Sequence, residues 1–165
     1  MADSALYVTA PRTVESRPVS VDPAAEEVVV ETDVAAISAG TELLVYRGEA
    51  PDDLPVDETI DAFEDSFEYP LRYGYAAAGR VVDTGSTVSD VWLDRQVFGF
   101  HPHQTRFAAD PDDLVVLPDD VSPAHGSLLP TVETATNLVL DSEPRLGESV
   151  VVFGAGVVGL CTTRL

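Results

Sequence analysis

The chain has 165 residues, of which 45% are hydrophobic and 23% charged. It is long enough for one complete core but not for two full domains, and this composition excludes a disordered chain. The formal net charge is −20, and all nine basic residues are arginines. Such a charge repels nucleic acid phosphates and anionic membranes, which argues against both as partners.

The acidic residues are spread along the chain, from Asp3 to Glu148. Their mutual repulsion destabilises a compact fold at low salt, and it is screened as the Debye length falls towards ~3 Å at molar salt. The sequence therefore predicts a halophilic protein adapted to a salt-rich cytoplasm. The alternative is an acidic face that binds a partner.

The amino-terminal residues, MADSALYVTAPRTVESRPV, contain neither the basic nor the apolar region of a signal peptide, which predicts a cytoplasmic protein. No apolar run approaches the ~20 residues that a membrane helix needs. Cys161 is the only cysteine, so an intramolecular disulfide and a cysteine cluster for zinc are both excluded.

Short β patterns dominate the first two thirds of the chain. Two strands are predicted between Ala5 and Ser38, in ALYVTA and EEVVVETDVAAIS, and an acidic surface excursion is predicted from Gly48 to Tyr69. The runs AGRVVDTG, VFGF and DLVVLP predict further strands. Several short strands at short intervals favour a barrel-like antiparallel domain from about Ala5 to Pro118.

The pattern changes after this region. Apolar residues at helical spacing predict a helix from Leu128 to Leu140, and Ser149 to Phe153 reads as a buried strand. That strand is followed directly by a glycine-rich turn and the beginning of another helix. The order strand, turn, helix is typical of the start of a dinucleotide-binding domain.

The glycine-rich turn has the spacing of a dinucleotide fingerprint. Its residues are Gly154, Ala155, Gly156, Val157, Val158 and Gly159. In such a turn the first glycine permits the tight turn, the second lets the backbone approach a pyrophosphate, and the third lets the helix pack close to the strand. The turn predicts binding of NAD or NADP, the alternative being an ordinary glycine-rich connection between a strand and a helix.

The choice between NAD and NADP cannot be read from this sequence. The acidic residue that contacts the ribose lies ~20 residues after the fingerprint, which is beyond Leu165. A single strand with the first turns of a helix also lacks the neighbours of a doubly wound sheet. A chain that ends at this point is therefore expected not to bind a dinucleotide tightly by itself.

Four runs of the sequence resemble the medium-chain dehydrogenase/reductase superfamily: DPAAEEVVVETDVAAISAGTELLVYRGEAP, YPLRYGYAAAGRVVDTGSTV, RQVFGFHPHQTRFAAD and LPTVETATNLVLDSEPRLGESVVVFGAGVVGL. The resemblance implies a mixed α/β chain. A GroES-like β-rich catalytic domain is expected over 1–122, a linking helix and turn over 123–148, and the first strand, turn and helix of a truncated Rossmann domain over 149–165.

Within the superfamily, the SAGTE and YPLRYGY runs look most like the zinc-less branch that includes bacteriochlorophyllide dehydrogenase-like proteins. Zinc alcohol dehydrogenases carry Cys-Gly-(Thr/Ser)-Asp and Gly-His-Glu where this chain has Ala39 and Tyr75 at the ligand positions. Only Glu133 matches a third ligand position, and one carboxylate does not hold Zn²⁺. No catalytic or structural zinc is expected.

Without a metal, hydrogen-bond donors and a proton donor must assist hydride transfer. The resemblance places the hydroxyls of Thr41 and Tyr75 where metal-site residues lie in relatives, and Tyr75 is alternatively an aromatic wall of the substrate pocket. His103, in the FHPHQ turn, is a third catalytic candidate. The alternative is a solvent-exposed turn histidine without a catalytic role.

Three further residues are weighed in the same way. His101 is a weaker catalytic candidate than His103, and His125 is expected to be structural. The resemblance brings Thr134 towards the nicotinamide end of the cofactor, and the alternative is a helix hydroxyl that bonds back to its own backbone.

The function implied by the resemblance is that of an NAD(P)-dependent, zinc-independent oxidoreductase, which transfers hydride between the cofactor and a small alcohol, ketone or enone. Full-length relatives are expected to be homo-oligomers. The alternative is a non-catalytic GroES-like domain left by a truncated or interrupted dehydrogenase gene. A zinc-dependent alcohol dehydrogenase is not supported at the ligand positions.

Overall fold

A computed structural model describes residues 2–50 and 68–165 of the chain. These residues form two compact units, of which the first ends at Ser127 and the second comprises Leu128–Leu165. The predicted surface excursion from Gly48 to Tyr69 falls mainly outside the described residues. In the described parts of the chain, no helix is both long enough and apolar enough to cross a membrane.

The first unit consists of two antiparallel sheets. A smaller sheet has the strand order β2-β1-β4, and a larger one has the order β7-β3-β5-β6-β8. An isolated bridge between Ala5 and Gln104 connects β1 to the segment before β7. The strands are β1 (Ser4–Ala10), β2 (Thr13–Pro18), β3 (Val28–Ala35), β4 (Leu71–Arg72), β5 (Ala77–Thr84), β6 (Gln96–Gly99), β7 (Arg106–Ala109) and β8 (Leu114–Val116).

The core of this unit lies on the larger sheet and is built from β-branched and aromatic side chains, which suit a pleated surface. Val88, Trp92 and Ala109 pack against its edge. The cluster of buried residues comprises Val28, Val30, Ala77, Val81, Val97, Phe107 and Leu114. The prediction of a mixed α/β chain with a β-rich antiparallel domain is confirmed.

Several elements of the first unit are not indicated by the sequence patterns. They include β2, β4, β7 and the helix α1 (Thr41–Arg47). β2 is exposed almost throughout, so it lacks the alternation of apolar residues that marks a strand. α1 is too short to show a helical period, and it ends at Gly48, whose φ of 72° is the left-handed conformation common after a helix. A four-residue helix, α2 (Pro123–Gly126), ends the unit.

The second unit contains two helices that pack against each other, α3 (Leu129–Ser142) and α4 (Val157–Arg164). The helix predicted from Leu128 to Leu140 is therefore confirmed. The strand predicted from Ser149 to Phe153 is wrong for this structure, because these residues are not paired with any described strand. A strand needs a neighbour for its backbone hydrogen bonds. Val150, Val151 and Phe153 are 65%, 72% and 95% exposed.

Candidate functional site

The first unit contains a hydrogen-bonded pair of a histidine and a glutamate. Nε2 of His103 lies 2.6 Å from Oε2 of Glu42, and the two side chains are only 12% and 9% exposed. The second carboxylate oxygen, Oε1, accepts a hydrogen bond from the backbone N–H of Ser38 at 2.9 Å. Both oxygens of this buried carboxylate thus have partners, as burial of a charged group requires.

Backbone contacts explain why residues so distant in sequence meet here. Ala36, just after β3, donates its N–H to the carbonyl of Ala76 at 2.9 Å, which places the beginning of α1 beside the segment before β5. On the β6–β7 connection, the carbonyl of His103 accepts the N–H of Leu6 at 2.9 Å. The sheet therefore fixes both partners of the pair.

Gly74 leaves room for the imidazole of His103. A Cβ atom built on Gly74 would lie 2.7 Å from Cδ2 and from Nε2 of that ring, and the φ of Gly74 is 122°. Side chains rarely adopt this backbone conformation, and none would fit beneath the ring. The close approach of ring to backbone at this position depends on glycine.

Thr41 and Tyr75 each lie next to a member of this group. Thr41 is exposed at the beginning of α1, directly before Glu42, and Tyr75 is half-buried directly after Gly74. No hydrogen bond is formed by the hydroxyl of Tyr75 within residues 2–50 and 68–165. Glu42, His103 and Gly74 are thus in direct contact in the structure. Thr41 and Tyr75 are sequence neighbours of Glu42 and Gly74.

The alternative of a solvent-exposed turn for His103 is wrong, because Glu42 and Gly74 enclose the ring. Glu42 is not among the candidates found from the sequence. In the sequence, Glu42 is only one acidic residue in the run TELLVYR. In the structure it is 8% exposed. Burial of a glutamate can be recognised only in the folded chain, so the sequence pattern alone does not reveal its role.

His101 is a second buried histidine in the same connection. Its ring stacks on Phe107 with centroids 4.2 Å apart and planes at 15°, and its Nδ1 donates to the carbonyl of Pro102 at 2.9 Å. The pKa of His101 is lowered to about 4, mainly by burial; the bond to Pro102 opposes this change, and the positive charge of Arg72 adds to it. His101 is therefore a neutral packing residue at neutral pH.

Because the pKa of His101 is about 4 in the folded chain and 6.5 when unperturbed, the unfolded chain binds more protons between these values. His101 therefore makes the folded state less stable as pH falls from about 6.5 to about 4, by roughly 3 kcal/mol in total. We expect His101→Phe to weaken this pH dependence, measured as the free energy of unfolding in urea at pH 7 and pH 4.5.

The exposed His125 provides the matched control for that experiment. It lies on α2, where its Nδ1 is 3.2 Å from Oγ of Ser122, the residue that caps the helix. We expect His125→Gln to leave the difference in stability between pH 7 and pH 4.5 near the wild-type value. An unchanged pH dependence in His101→Phe would contradict the assignment to His101.

The glycine-rich turn belongs to the second unit. Gly154 has a φ of 107°, and a Cβ on Gly159 would collide with the carbonyl oxygen of Gly154. Gly156 precedes α4 with no side-chain cap, and a Cβ built on it would meet no atom within 4 Å. The free N–H groups at the beginning of α4 and the open space beside Gly156 fit a dinucleotide pyrophosphate.

Thr134 lies on α3 of the same unit. Its Oγ1 donates to the carbonyl of Pro130 at 2.9 Å, so the hydroxyl bonds back to its own helix. This is the alternative that the sequence left open for Thr134.

In residues 2–50 and 68–165 no three His, Cys, Asp or Glu side chains are grouped so that they could hold a metal ion. Ala39 has no donor atom, and the acceptors of Glu42 face Ser38 and His103. The described residues of the first unit therefore do not fit a tetrahedral zinc site.

Dehydrogenases are among the curated proteins that are similar to the chain, whereas no family model matches it. The chain is 29% identical over 181 residues to the 2-desacetyl-2-hydroxyethyl bacteriochlorophyllide A dehydrogenase of Cereibacter sphaeroides, covering 100% of this chain and 53% of that protein. It is 26% identical over 148 residues to the (R,R)-butanediol dehydrogenase of Bacillus subtilis, covering 73% of this chain and 42% of the relative. The chain thus spans about half the length of these relatives.

Solved structures with a similar fold include proteins of the same kind. The CurF ER cyclopropanase of the curacin A biosynthetic pathway matches with a TM-score of 0.82 at 21% identity, over 99% of this chain and 51% of that chain. An alcohol dehydrogenase from Escherichia coli, complexed with NADH, matches with a TM-score of 0.74 at 16% identity, over 99% of this chain and 53% of that chain.

The homologues and structural neighbours are medium-chain, alcohol dehydrogenase-like proteins. The resemblance drawn from the sequence is confirmed, including the likeness to a bacteriochlorophyllide dehydrogenase. The GroES-like fold expected for the β-rich part is confirmed by the same neighbours.

Proposed function

We propose that this chain forms part of an NAD(P)-dependent oxidoreductase that acts on a small alcohol, ketone or enone without zinc. The observation that carries the proposal is the glycine turn, because Gly154 and Gly159 have backbone environments that only glycine satisfies. A neighbour of the same fold is complexed with NADH, which supports a nicotinamide cofactor. The cofactor is proposed as NAD or NADP without a choice between them. A homo-oligomeric state of the full-length protein stays a prediction.

The turn would hold the pyrophosphate through backbone groups at the beginning of α4. The residues proposed for this role are Gly154, Ala155, Gly156, Val157, Val158 and Gly159. When bound, the cofactor supplies the hydride acceptor or donor. Thr134 is proposed only as a packing residue near the cofactor, since its hydroxyl donates to Pro130.

The remaining chemistry is the movement of one proton at the substrate oxygen. His103 is proposed to exchange this proton, and Thr41 and Tyr75 to donate hydrogen bonds to the same oxygen. This ranking places His103 before Tyr75, because the imidazole has a carboxylate partner and Tyr75 has none among the described residues. Ala39 and Tyr75 at the metal-ligand positions support a reaction without zinc.

The proposal is tested on the protein produced from its natural gene, in high salt. We expect NADH or NADPH oxidation with a ketone or enone that continues after treatment with EDTA, and no stoichiometric zinc by elemental analysis. Tyr75→Phe is expected to lower kcat more than it changes KM if the hydroxyl acts in the transition state. Loss of activity in EDTA that returns with zinc would overturn the metal-free reaction.

The proposed cofactor site is tested with the variant Gly156→Ala. A methyl group on Gly156 meets no atom of the chain within 4 Å, so Gly156→Ala should fold but project into the space where the pyrophosphate approaches. Loss of one or two backbone contacts corresponds to about a tenfold or greater rise in Kd for NAD(P)H. Ser142→Ala on α3 is the control, and equal Kd values for Gly156→Ala and wild type would contradict the site.

The second candidate is a non-catalytic GroES-like domain, and the observation behind it is the exposure of Val150, Val151 and Phe153. A dinucleotide turn is stable when its strand is flanked and covered by neighbours. We expect the 165-residue chain alone to bind NADH and NADPH weakly or not at all. Saturable binding at micromolar concentration would show that this chain is a working cofactor module.

A further inference from the structure

We propose that Glu42 is a positioning residue that holds His103 in the tautomer with its proton on Nε2, so that Nδ1 is the proton acceptor of the candidate site. The tautomer follows from the 2.6 Å contact between Nε2 and an ionised carboxylate of Glu42. Its use in catalysis rests on the proposed function.

The direction of the hydrogen bond decides which nitrogen carries the proton. Oε2 of Glu42 lies 2.6 Å from Nε2 of His103, and an ionised carboxylate can only accept hydrogen bonds. Nε2 must therefore donate. In a neutral imidazole the other nitrogen, Nδ1, is then an acceptor. Nδ1 forms no hydrogen bond with any residue in 2–50 or 68–165.

Glu42 itself cannot turn away from His103. Its Oε1 accepts the backbone N–H of Ser38 at 2.9 Å, so the carboxylate is held between that N–H and the imidazole. The contact resembles a capping interaction in which an acidic residue in the first turn reaches back to an N–H before the helix. One side chain therefore closes the beginning of α1 and orients His103.

Gly74 confines the imidazole on a second side, and the backbone of His103 is held as well. Gly74 lies against the ring at Cδ2, Nε2 and Cε1, and the carbonyl of His103 accepts the N–H of Leu6. The three ring atoms nearest to a Cβ on Gly74 are Nε2 and the two carbons bonded to it, and Nδ1 is not among them. A pre-oriented ring loses little entropy when it exchanges a proton with a substrate.

The chemistry assigned to this pair is the transfer of one proton. In the oxidation direction the substrate hydroxyl proton passes to Nδ1, and the imidazolium that forms is stabilised by the carboxylate of Glu42 at Nε2. In the reduction direction the N–H at Nδ1 returns the proton to the substrate oxygen. A carboxylate that orients a histidine and stabilises its cation has the same physical role in other enzymes.

The tautomer is measured by ¹⁵N NMR on the 165-residue chain labelled at histidine. The chain has three histidines, and His103→Gln identifies the signals of His103. At neutral pH we expect the wild-type chain to show the Nε2–H tautomer at His103. The Nδ1–H tautomer, or a doubly protonated ring at that pH, would overturn the proposal without need of any Glu42 variant.

For the variant Glu42→Gln we expect the opposite tautomer of His103. The amide oxygen should remain on the N–H of Ser38, which turns the amide NH₂ towards Nε2 of His103. Nε2 must then accept, so the tautomer is expected to change to Nδ1–H. Asp3→Asn is the matched control, because it removes the negative charge from the 2.9 Å pair of Asp3 with Arg106 in the same unit and should leave the tautomer of His103 unchanged. An unchanged tautomer in Glu42→Gln would contradict the role of Glu42.

The catalytic part is tested on the protein from its natural gene. Glu42→Gln is expected to lower kcat by about 10²- to 10⁴-fold with little change in KM, whereas Asp3→Asn should retain wild-type kcat. If Glu42→Gln changes the tautomer but leaves kcat unchanged, the pair of Glu42 and His103 has no role in catalysis. If the natural protein oxidises no nicotinamide nucleotide, the proposed function fails, and the NMR result still decides the role of Glu42.

Discussion

Gly74→Ala is expected to destabilise the first unit by about 2–6 kcal/mol and to displace the ring of His103. The φ of 122° costs a residue with a side chain roughly 1–3 kcal/mol. The new Cβ would lie 2.7 Å from two ring atoms, and overpacking of this kind adds about 1–3 kcal/mol. The ring cannot move freely, because Glu42 holds Nε2 at 2.6 Å.

The measurement is urea unfolding followed by the fluorescence of Trp92, the single tryptophan, which packs on the core of the first unit. Gly40→Ala is the matched control. It lies in the same region with a φ of −88°, and its Cβ would have its nearest neighbour at 3.9 Å. We expect a change below about 1 kcal/mol for this control. Equal stabilities of the two variants would show that Gly74 is not required beneath the ring.

Raising KCl from 0.1 M to 3 M is expected to raise the Tm of the chain by about 10 °C or more. The sequence has 29 acidic residues against nine arginines, so arginine cannot neutralise most of the carboxylates. Repulsion among them acts over ~10 Å at 0.1 M salt and over only ~3 Å at 1 M. Since Tm changes by roughly 2–8 °C per kcal/mol in domains of this size, relief of several kcal/mol gives the expected shift.

The control for the salt series is sucrose at matched osmolality, which stabilises compact states without screening charge. We expect KCl to have much the larger effect. A Tm that stays flat or falls between 0.1 M and 3 M KCl would contradict adaptation to salt. It would instead favour an acidic face that serves a partner.

Local patterns predict those elements whose stability depends on local features. β1 and β3 are rich in β-branched residues, and α3 has apolar residues at helical spacing, so all three are predicted from the sequence. α1 is missed because its seven residues are held by Glu42 and by burial of Val45 rather than by helix propensity. The strand predicted over 149–153 is absent from the structure, because pairing depends on a neighbour that its own residues do not provide.

The sequence by itself determines the charge of the surface, the single cysteine and the glycine turn. Each of these depends on residue identity alone, as at Gly154, whose positive φ only glycine adopts readily. Only the tertiary structure decides the candidate site. Glu42 and His103 are 61 residues apart, and they meet because the pairing of β3 with β5 sets α1 beside Gly74. A contact of that kind is produced by sheet pairing over long sequence distance, which local patterns do not encode.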